Sequence, residues 1–194
     1  MRPLRYNVAT SLDGFIAPPD ESTSWIVDDS AIDFAALYAE FDYFVMGRKT
    51  FELLASVPPE QNFLRGRAKQ HVAVVSRSLD PGQWSDVTIL KGERECLEWI
   101  QRVKEGGDDR TGAGNDKGIW LMGGGWLAAK CLEAGLLDTV EAAVMPVVLG
   151  RGFKMIEDGK EETSRYRPYK LVLRSVERMD KSGILMTKYD VVYE

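Results

Sequence analysis

Short apolar segments alternate with amphipathic segments along most of the chain, and this alternation limits the possible folds more than any other feature. LRYNVAT, DYFVM, HVAVVS, VTIL, GIWLM and TVEAAVM have the length and composition of strands. Helical patterns separate most of them, and ERECLEWIQRVK places four apolar residues on one stripe: Cys96, Trp99, Ile100 and Val103. Because helical crossovers connect parallel strands, the alternation predicts an α/β fold with a mostly parallel central sheet.

The tail of the sequence has a different character. From Tyr169 onward there is no helical period, only YKLVLRSVERM and GILMTKYDVVY joined by the turn residues 180–183, DKSG. We expect an antiparallel C-terminal hairpin that closes the sheet. The 194 residues predict a single domain, 1–194, in which the Gly- and Asp-rich segment 105–117 is a mobile surface loop.

Composition excludes several classes of function. The cysteines are Cys96 and Cys131 and the only histidine is His71, so no metal site is expected. The net charge is -5 and the basic residues are scattered, which disfavours nucleic acid as a partner. No apolar run approaches the roughly 18 residues of a membrane span. The sequence therefore predicts a cytoplasmic protein with a small-molecule ligand.

Three strand ends carry residues suited to binding an anion. Parallel sheets bind ligands beyond the carboxyl ends of their strands, where loops lead into helix N-termini with free N–H groups. The junctions contain Gly47, Arg48, Lys49 and Thr50, then Ser76 and Arg77, and finally Gly123, Gly124, Gly125 and Trp126. A glycine turn before a solvated helix explains the first junction equally well, whereas three successive glycines favour phosphate contact. Together the junctions predict a dinucleotide ligand.

Five segments in order resemble the dihydrofolate reductase superfamily, and more closely the C-terminal reductase domain of bifunctional riboflavin biosynthesis proteins. They are NVATSLDGFIA, FVMGRKTFE, VVSRSLDPG, LMGGGWLAAKCLEAGLLD and MPVVLGRGF, and they span nearly the whole chain. The resemblance implies a dihydrofolate reductase-like three-layer sandwich and homodimers. It also implies NADPH-dependent reduction of a C=N or C=O bond in a small heterocycle that resembles a pterin or an aminopyrimidine.

The resemblance also implies roles for individual residues. Ala9 and Ile16 match residues that border the nicotinamide, and Ser76 and Arg77 match the site of the 2′-phosphate. The remaining cofactor positions hold the adenosine side and the pyrophosphate: Gly47, Arg48, Lys49, Thr50, Gly123, Gly124 and Gly125, with Trp126 beside them. The family often has a cis peptide bond between two of these glycines.

One departure from the family concerns the acid that protonates the pterin in dihydrofolate reductases. Counting from Trp25 and Gly47 places that acid at Ser30 or Ala31, and neither is acidic. Asp33 lies three residues after Ser30, on the same helix face, and is our candidate catalytic residue.

Other polar and aromatic residues lie near this position in the sequence. Asp28 and Asp29 are expected to cap a helix over residues 31–40. Asp13 either shapes the SLDG turn or contacts substrate, and Trp25 is a candidate substrate contact.

Two alternatives to the reductase remain open. One is a non-catalytic nucleotide-binding protein, which the missing acid favours. The other is a true dihydrofolate reductase with a shifted acid.

Overall fold

The computed structural model describes residues 1–106, 117–157 and 168–193. The four helices of these ranges are α1 (Phe34–Ala39), α2 (Arg48–Ser56), α3 (Glu93–Lys104) and α4 (Gly125–Glu133). The strands are β1 (Leu4–Ser11), β2 (Phe15–Ala17), β3 (Phe41–Gly47), β4 (Val72–Val75), β5 (Thr88–Leu90), β6 (Gly118–Leu121), β7 (Thr139–Met145), β8 (Phe153–Lys154), β9 (Lys170–Arg178) and β10 (Leu185–Val192).

Eight strands form the central sheet in the order β5-β4-β3-β6-β1-β7-β10-β9. The first six of these pair in parallel, while β10 runs antiparallel to both β7 and β9. This confirms the α/β fold with a mostly parallel sheet and an antiparallel C-terminal hairpin. The parallel order brings the carboxyl ends of β1, β3, β4 and β6 to one edge, where the three predicted junctions lie.

Alternating side chains of β3 divide the core into two layers. Tyr43 and Val45 face α3 and α4 in one cluster of buried residues, whereas Phe44 and Met46 pack with Phe51 of α2 in another. Both faces of the sheet are apolar, so helices cover both of them. The domain therefore has three layers, with the sheet between two layers of helices. No helix in the described ranges is long and apolar enough to cross a membrane.

Helix α1 is shorter than expected and has a different cap. The carboxylate of Asp33 accepts a hydrogen bond from the backbone N–H of Ala36 at 2.9 Å, so the helix begins after Asp33. Asp29 instead accepts from the N–H of Ala31 at 2.9 Å and forms a turn before the helix. The prediction of a helix over residues 31–40 capped by Asp28 or Asp29 was therefore wrong in its start and in its cap.

A second, two-stranded sheet was not expected from the sequence. It pairs β2 with β8 in antiparallel fashion, and the strands are three and two residues long. The loop predicted over residues 105–117 lies almost entirely outside the described residues, because positions 107–116 are not among them.

Candidate active site

A cavity of about 500 Å³ opens at the carboxyl edge of the sheet. Ala9 at the end of β1 and Ile16 of β2 lie in its wall, together with Phe153 of β8 and Met122 after β6. Thr50 of α2 and Trp126 of α4 also line it. The cavity is therefore built from both sheets and two helix N-termini, and it contains the apolar pair predicted to border a nicotinamide.

The glycine junctions after β3 and β6 contact each other beside this cavity. The N–H of Gly47 donates to the carbonyl oxygen of Gly123 at 2.9 Å, and the Gly123–Gly124 peptide is cis. A Cβ placed on Gly124 would meet no atom within 4 Å, so this stretch of main chain faces open space. The start of α4 beside this open space suits a phosphate group, because the N–H groups there lack helical partners.

A second cavity of about 220 Å³ continues the first towards β4. It is lined by Gly47, Arg48, Val75 and Leu127, and it shares further lining residues with the larger cavity, namely Lys49, Thr50, Gly124 and Trp126. The two cavities thus form one extended cleft along the sheet edge, the shape that an elongated ligand such as a dinucleotide requires.

Both cations of the first junction have carboxylate partners. Arg48 donates to both oxygens of Glu52, at 2.9 and 2.8 Å, while Lys49 pairs with Glu21 and lies 4.6 Å from the centre of the Phe153 ring. All four ionic side chains are at least 43% exposed. Such exposed pairs contribute roughly 1 kcal/mol or less, so an incoming phosphate can displace the carboxylates.

The structure divides the roles of Ser76 and Arg77. Ser76 is buried, and its hydroxyl accepts from the N–H groups of Ser78 and Leu79 at 3.2 and 3.0 Å, so it holds the turn after β4. Arg77 is exposed, and it makes no hydrogen bond or ion pair with the described residues. Of the two residues predicted at the 2′-phosphate, only Arg77 presents an uncommitted polar group, and neither of them lines the two cavities.

Asp13 fixes a loop and does not line the cleft. Its carboxylate accepts from the hydroxyl of Ser11 at 2.6 Å and from the N–H groups of Leu149 and Gly150 at 3.1 and 2.7 Å. These hydrogen bonds, chiefly that of Ser11, lower the pKa of Asp13 to about 2. Of the two roles left open by the sequence, the structure places Asp13 in the turn, where it ties residues 11–14 to the segment after β7.

Two predicted contacts lie outside the cleft. Trp25 packs in a buried cluster with Met145, Met179 and Ile184, and Asp33 is an exposed helix cap. Neither side chain lines the cavities. The expectation that Trp25 contacts substrate and that Asp33 supplies a proton therefore finds no support in the geometry, because packing and capping occupy these side chains.

Several residues of the cleft were not identified from the sequence. Glu21 and Ile26 come from the segment after β2, while Phe153 and Glu157 come from the segment that contains β8. The only signal for them is the motif MPVVLGRGF, which ends at Phe153 but gives no role to it.

Comparison with known proteins identifies relatives along the whole chain. The family model described as "RibD C-terminal domain" matches residues 2–106 and 109–185. A protein of Bacillus subtilis (strain 168), "Uncharacterized protein YyaP", is 26% identical over 160 residues, which are 80% of each chain. A solved structure from Shewanella sp. PV-4, named a putative riboflavin biosynthesis protein, covers 100% of both chains with a TM-score of 0.71 and 22% identity.

A larger relative carries the same fold as one of its parts. The Thermotoga maritima protein is named a diaminohydroxyphosphoribosylaminopyrimidine deaminase/5-amino-6-(5-phosphoribosylamino)uracil reductase. It covers 98% of this chain with a TM-score of 0.62 and 16% identity, and the match spans 57% of its own length. On the family match and this shared fold, the chain belongs to the RibD C-terminal domain family, within the dihydrofolate reductase-like superfamily.

Proposed function

We propose that this protein is an NADPH-dependent reductase that transfers a hydride to a C=N or C=O carbon of a small heterocycle. The observation that carries the proposal is the continuous cleft, in which the half-buried Gly124 and two cations precede a largely apolar chamber. The name of a relative with the same fold supports it, since the Thermotoga protein is named a deaminase/5-amino-6-(5-phosphoribosylamino)uracil reductase. We further propose that residues 1–194 act as a single cytoplasmic domain.

In this proposal, different residues of the cleft contact different parts of the cofactor. Gly124 and the N-terminus of α4 offer main-chain N–H groups to the pyrophosphate, and Arg48 and Lys49 add positive charge. Ala9 and Ile16 form apolar walls for the nicotinamide. When bound, NADPH supplies the hydride from C4 of that ring. The protein contributes orientation, and Trp126 and Phe153, which line the chamber, exclude water from it.

Titration with NADPH tests this proposal directly. We expect saturable quenching of tryptophan fluorescence, because Trp126 lines both cavities and is 39% exposed. In Gly124→Ala the added methyl group enters the open space of the cleft, and we expect at least about tenfold weaker binding. Gly92→Ala, at another half-buried glycine with open space around its Cβ position, is the matched control and should bind as the wild type does. Absence of NADPH binding by the wild type would refute the proposal.

A turnover assay distinguishes the reductase from the alternative of a non-catalytic nucleotide-binding protein. A screen of dihydropterins, folates and aminopyrimidines should reveal oxidation of NADPH at 340 nm. Tight binding with no oxidation in the screen would favour the non-catalytic nucleotide-binding protein.

Arg77 is expected to set the preference for NADPH over NADH. Its guanidinium is uncommitted at the end of β4, two residues after Val75 of the smaller cavity. Loss of a charge-assisted contact of about 1.5–3 kcal/mol should weaken NADPH binding by roughly ten- to a hundredfold and leave NADH binding unchanged. Fluorescence titration of Arg77→Ala with both cofactors checks this. Equal NADPH affinity in the variant and the wild type would place the 2′-phosphate elsewhere.

We also propose that the protein forms a homodimer through its C-terminal hairpin. Every residue of the edge strand β9 is exposed, including three large apolar side chains, Val172, Leu173 and Val176, that are each more than half exposed. An uncovered apolar edge strand is a typical site of association. Light scattering should give twice 21.8 kDa for the wild type and 21.8 kDa for Leu173→Glu, whereas Arg94→Ala on α3 should stay dimeric. A monomeric wild type would contradict this proposal.

A further inference from the structure

The two halves of the cleft carry opposite charges. The smaller cavity is lined by the cations Arg48 and Lys49, and no carboxylate is among its described lining residues. The larger cavity is lined by three carboxylates, Glu21, Glu52 and Glu157, against the single ammonium group of Lys49. The phosphates of a cofactor therefore meet positive charge, whereas a substrate in the larger cavity meets a negative surface.

The carboxylates of the larger cavity differ in what they contact. Glu21 is paired with Lys49 and Glu52 with Arg48. Glu157 makes no side-chain hydrogen bond or ion pair within the described ranges. Its backbone N–H donates to the carbonyl oxygen of Gly125 at 3.2 Å, which fixes the residue next to the first turn of α4. Glu157 is thus the carboxylate of this cavity that is available to a ligand.

Glu157 is exposed, and apolar side chains form much of the chamber wall beside it. These include Ile16, Ile26, Met122 and Phe153. Solvent partly screens the charge of Glu157, so its contribution to ligand binding is modest. The one cation among the described lining residues of the chamber, Lys49, also lines the smaller cavity, where we assign it to the cofactor phosphates. An anionic substrate therefore meets an excess of carboxylates.

From these observations we infer that the larger cavity selects heterocycles without phosphate or carboxylate groups and that Glu157 contacts a protonated C=N nitrogen of the substrate. The inference rests on the proposed reductase function and names its substrate class. In the reaction the C4–H bond of the cofactor breaks and a C–H bond forms at the imine carbon. The C=N π electrons become the nitrogen lone pair, so a cationic imine becomes a neutral amine and NADPH becomes NADP⁺. No further proton is needed in that step.

Two dihydropterins with the same ring test the charge preference. 7,8-Dihydrobiopterin has a neutral side chain, whereas 7,8-dihydrofolate carries the two carboxylates of its glutamate tail. Isothermal titration calorimetry of the protein with each compound measures binding without requiring turnover. We expect dihydrobiopterin to bind at least about tenfold more tightly, equivalent to about 1.4 kcal/mol. Equal or tighter binding of dihydrofolate, or no binding of either compound, would overturn the inference.

Substitution of Glu157 identifies the group responsible. In Glu157→Gln we expect dihydrobiopterin to bind at least about fivefold more weakly and the preference over dihydrofolate to shrink by a similar factor. Glu60→Gln, at an exposed carboxylate outside the cleft, should behave as the wild type. If Glu157→Gln kept the full preference for dihydrobiopterin over dihydrofolate, Glu157 would not be the group that causes it.

A parallel NADPH titration separates the two proposals. This titration uses the wild type, because Glu157 lines the same chamber as Ala9 and Ile16, the proposed walls for the nicotinamide. A wild type that shows the dihydropterin preference but does not bind NADPH would refute the reductase function and leave the charge selectivity standing.

Discussion

Replacement of Gly125 by alanine is expected to prevent the chain from reaching its native fold. A Cβ at this position would lie 2.1 Å from the carbonyl oxygen of Lys154 and 3.1 Å from that of Met155. Both atoms belong to the backbone of the segment around β8, so no side-chain rotation relieves the overlap. Relief requires α4 to move away from that segment, and we expect a loss of about 4 kcal/mol or more in the free energy of unfolding.

The neighbouring glycine provides a matched control for this prediction. Gly124→Ala adds the same methyl group one residue earlier, where it meets no atom within 4 Å. Urea unfolding followed by circular dichroism should show a near-normal midpoint for Gly124→Ala and an unfolded or strongly destabilised Gly125→Ala. Similar midpoints for the two variants would contradict the close approach of α4 to β8.

Loss of the Glu141 carboxylate is expected to have the second-largest effect on stability. This buried side chain receives two hydrogen bonds of 2.7 Å from the guanidinium of Arg5, and it also contacts Lys188, Asn7 and Thr139. Glu141→Gln leaves Arg5 buried with one fewer charge partner. Removing one partner of a buried ion pair typically costs about 3–5 kcal/mol of stability. Because Arg5 keeps a second carboxylate partner in Glu40, we expect a loss at the lower end, near 3 kcal/mol.

The same carboxylate makes stability depend on pH. Burial by itself raises the pKa of Glu141, but hydrogen bonds from Arg5 and Lys188 outweigh it and lower the pKa from 4.5 to about 2. The unfolded chain therefore takes up this proton first as the pH falls. The contribution of Glu141 is complete above about pH 4.5 and is lost progressively towards pH 2.

Calorimetric melting between pH 7 and pH 3 checks this behaviour. The melting temperature of the wild type should fall more steeply below pH 4.5 than that of Glu141→Gln. Glu133→Gln, on the surface of α4, is the control and should follow the wild-type curve. Parallel curves for the wild type and Glu141→Gln would mean that Glu141 titrates normally in the folded protein.

The central sheet could be predicted from the sequence because its elements have strong local patterns. The apolar stripe of ERECLEWIQRVK gives α3, and TVEAAVM gives β7, both with the predicted bounds. Strands β2 and β8 are three and two residues long, too short for any period to be recognised. The start of α1 was missed because three aspartates precede it, and only backbone geometry decides that Asp33 is the cap.

The candidate site could be predicted only where its residues follow strands of the sheet. The two glycine junctions adjoin each other because parallel strands end at one edge, a rule that needs no detailed model. The same cleft also contains Glu21, Phe153 and Glu157, which lie in segments whose course depends on tertiary contacts. One such contact is the pair of hydrogen bonds that the N–H groups of Leu149 and Gly150 donate to Asp13. Charge selectivity in the cleft therefore could not have been inferred from motifs.

Because of the small β2–β8 sheet, some residues that shape the substrate chamber lie outside the central sheet. In the described part of the chain the small sheet shares no strand pairing with the eight-stranded sheet, yet it supplies Ile16 and Phe153 to the chamber. Mutations there can reshape the chamber while leaving the buried cores intact. Glycine permits the close approach of the two short strands, as at Gly152, where a Cβ would lie 2.1 Å from the carbonyl oxygen of Ala17. Lineages with this architecture can thus diverge in substrate through few substitutions without first acquiring compensating changes in the core.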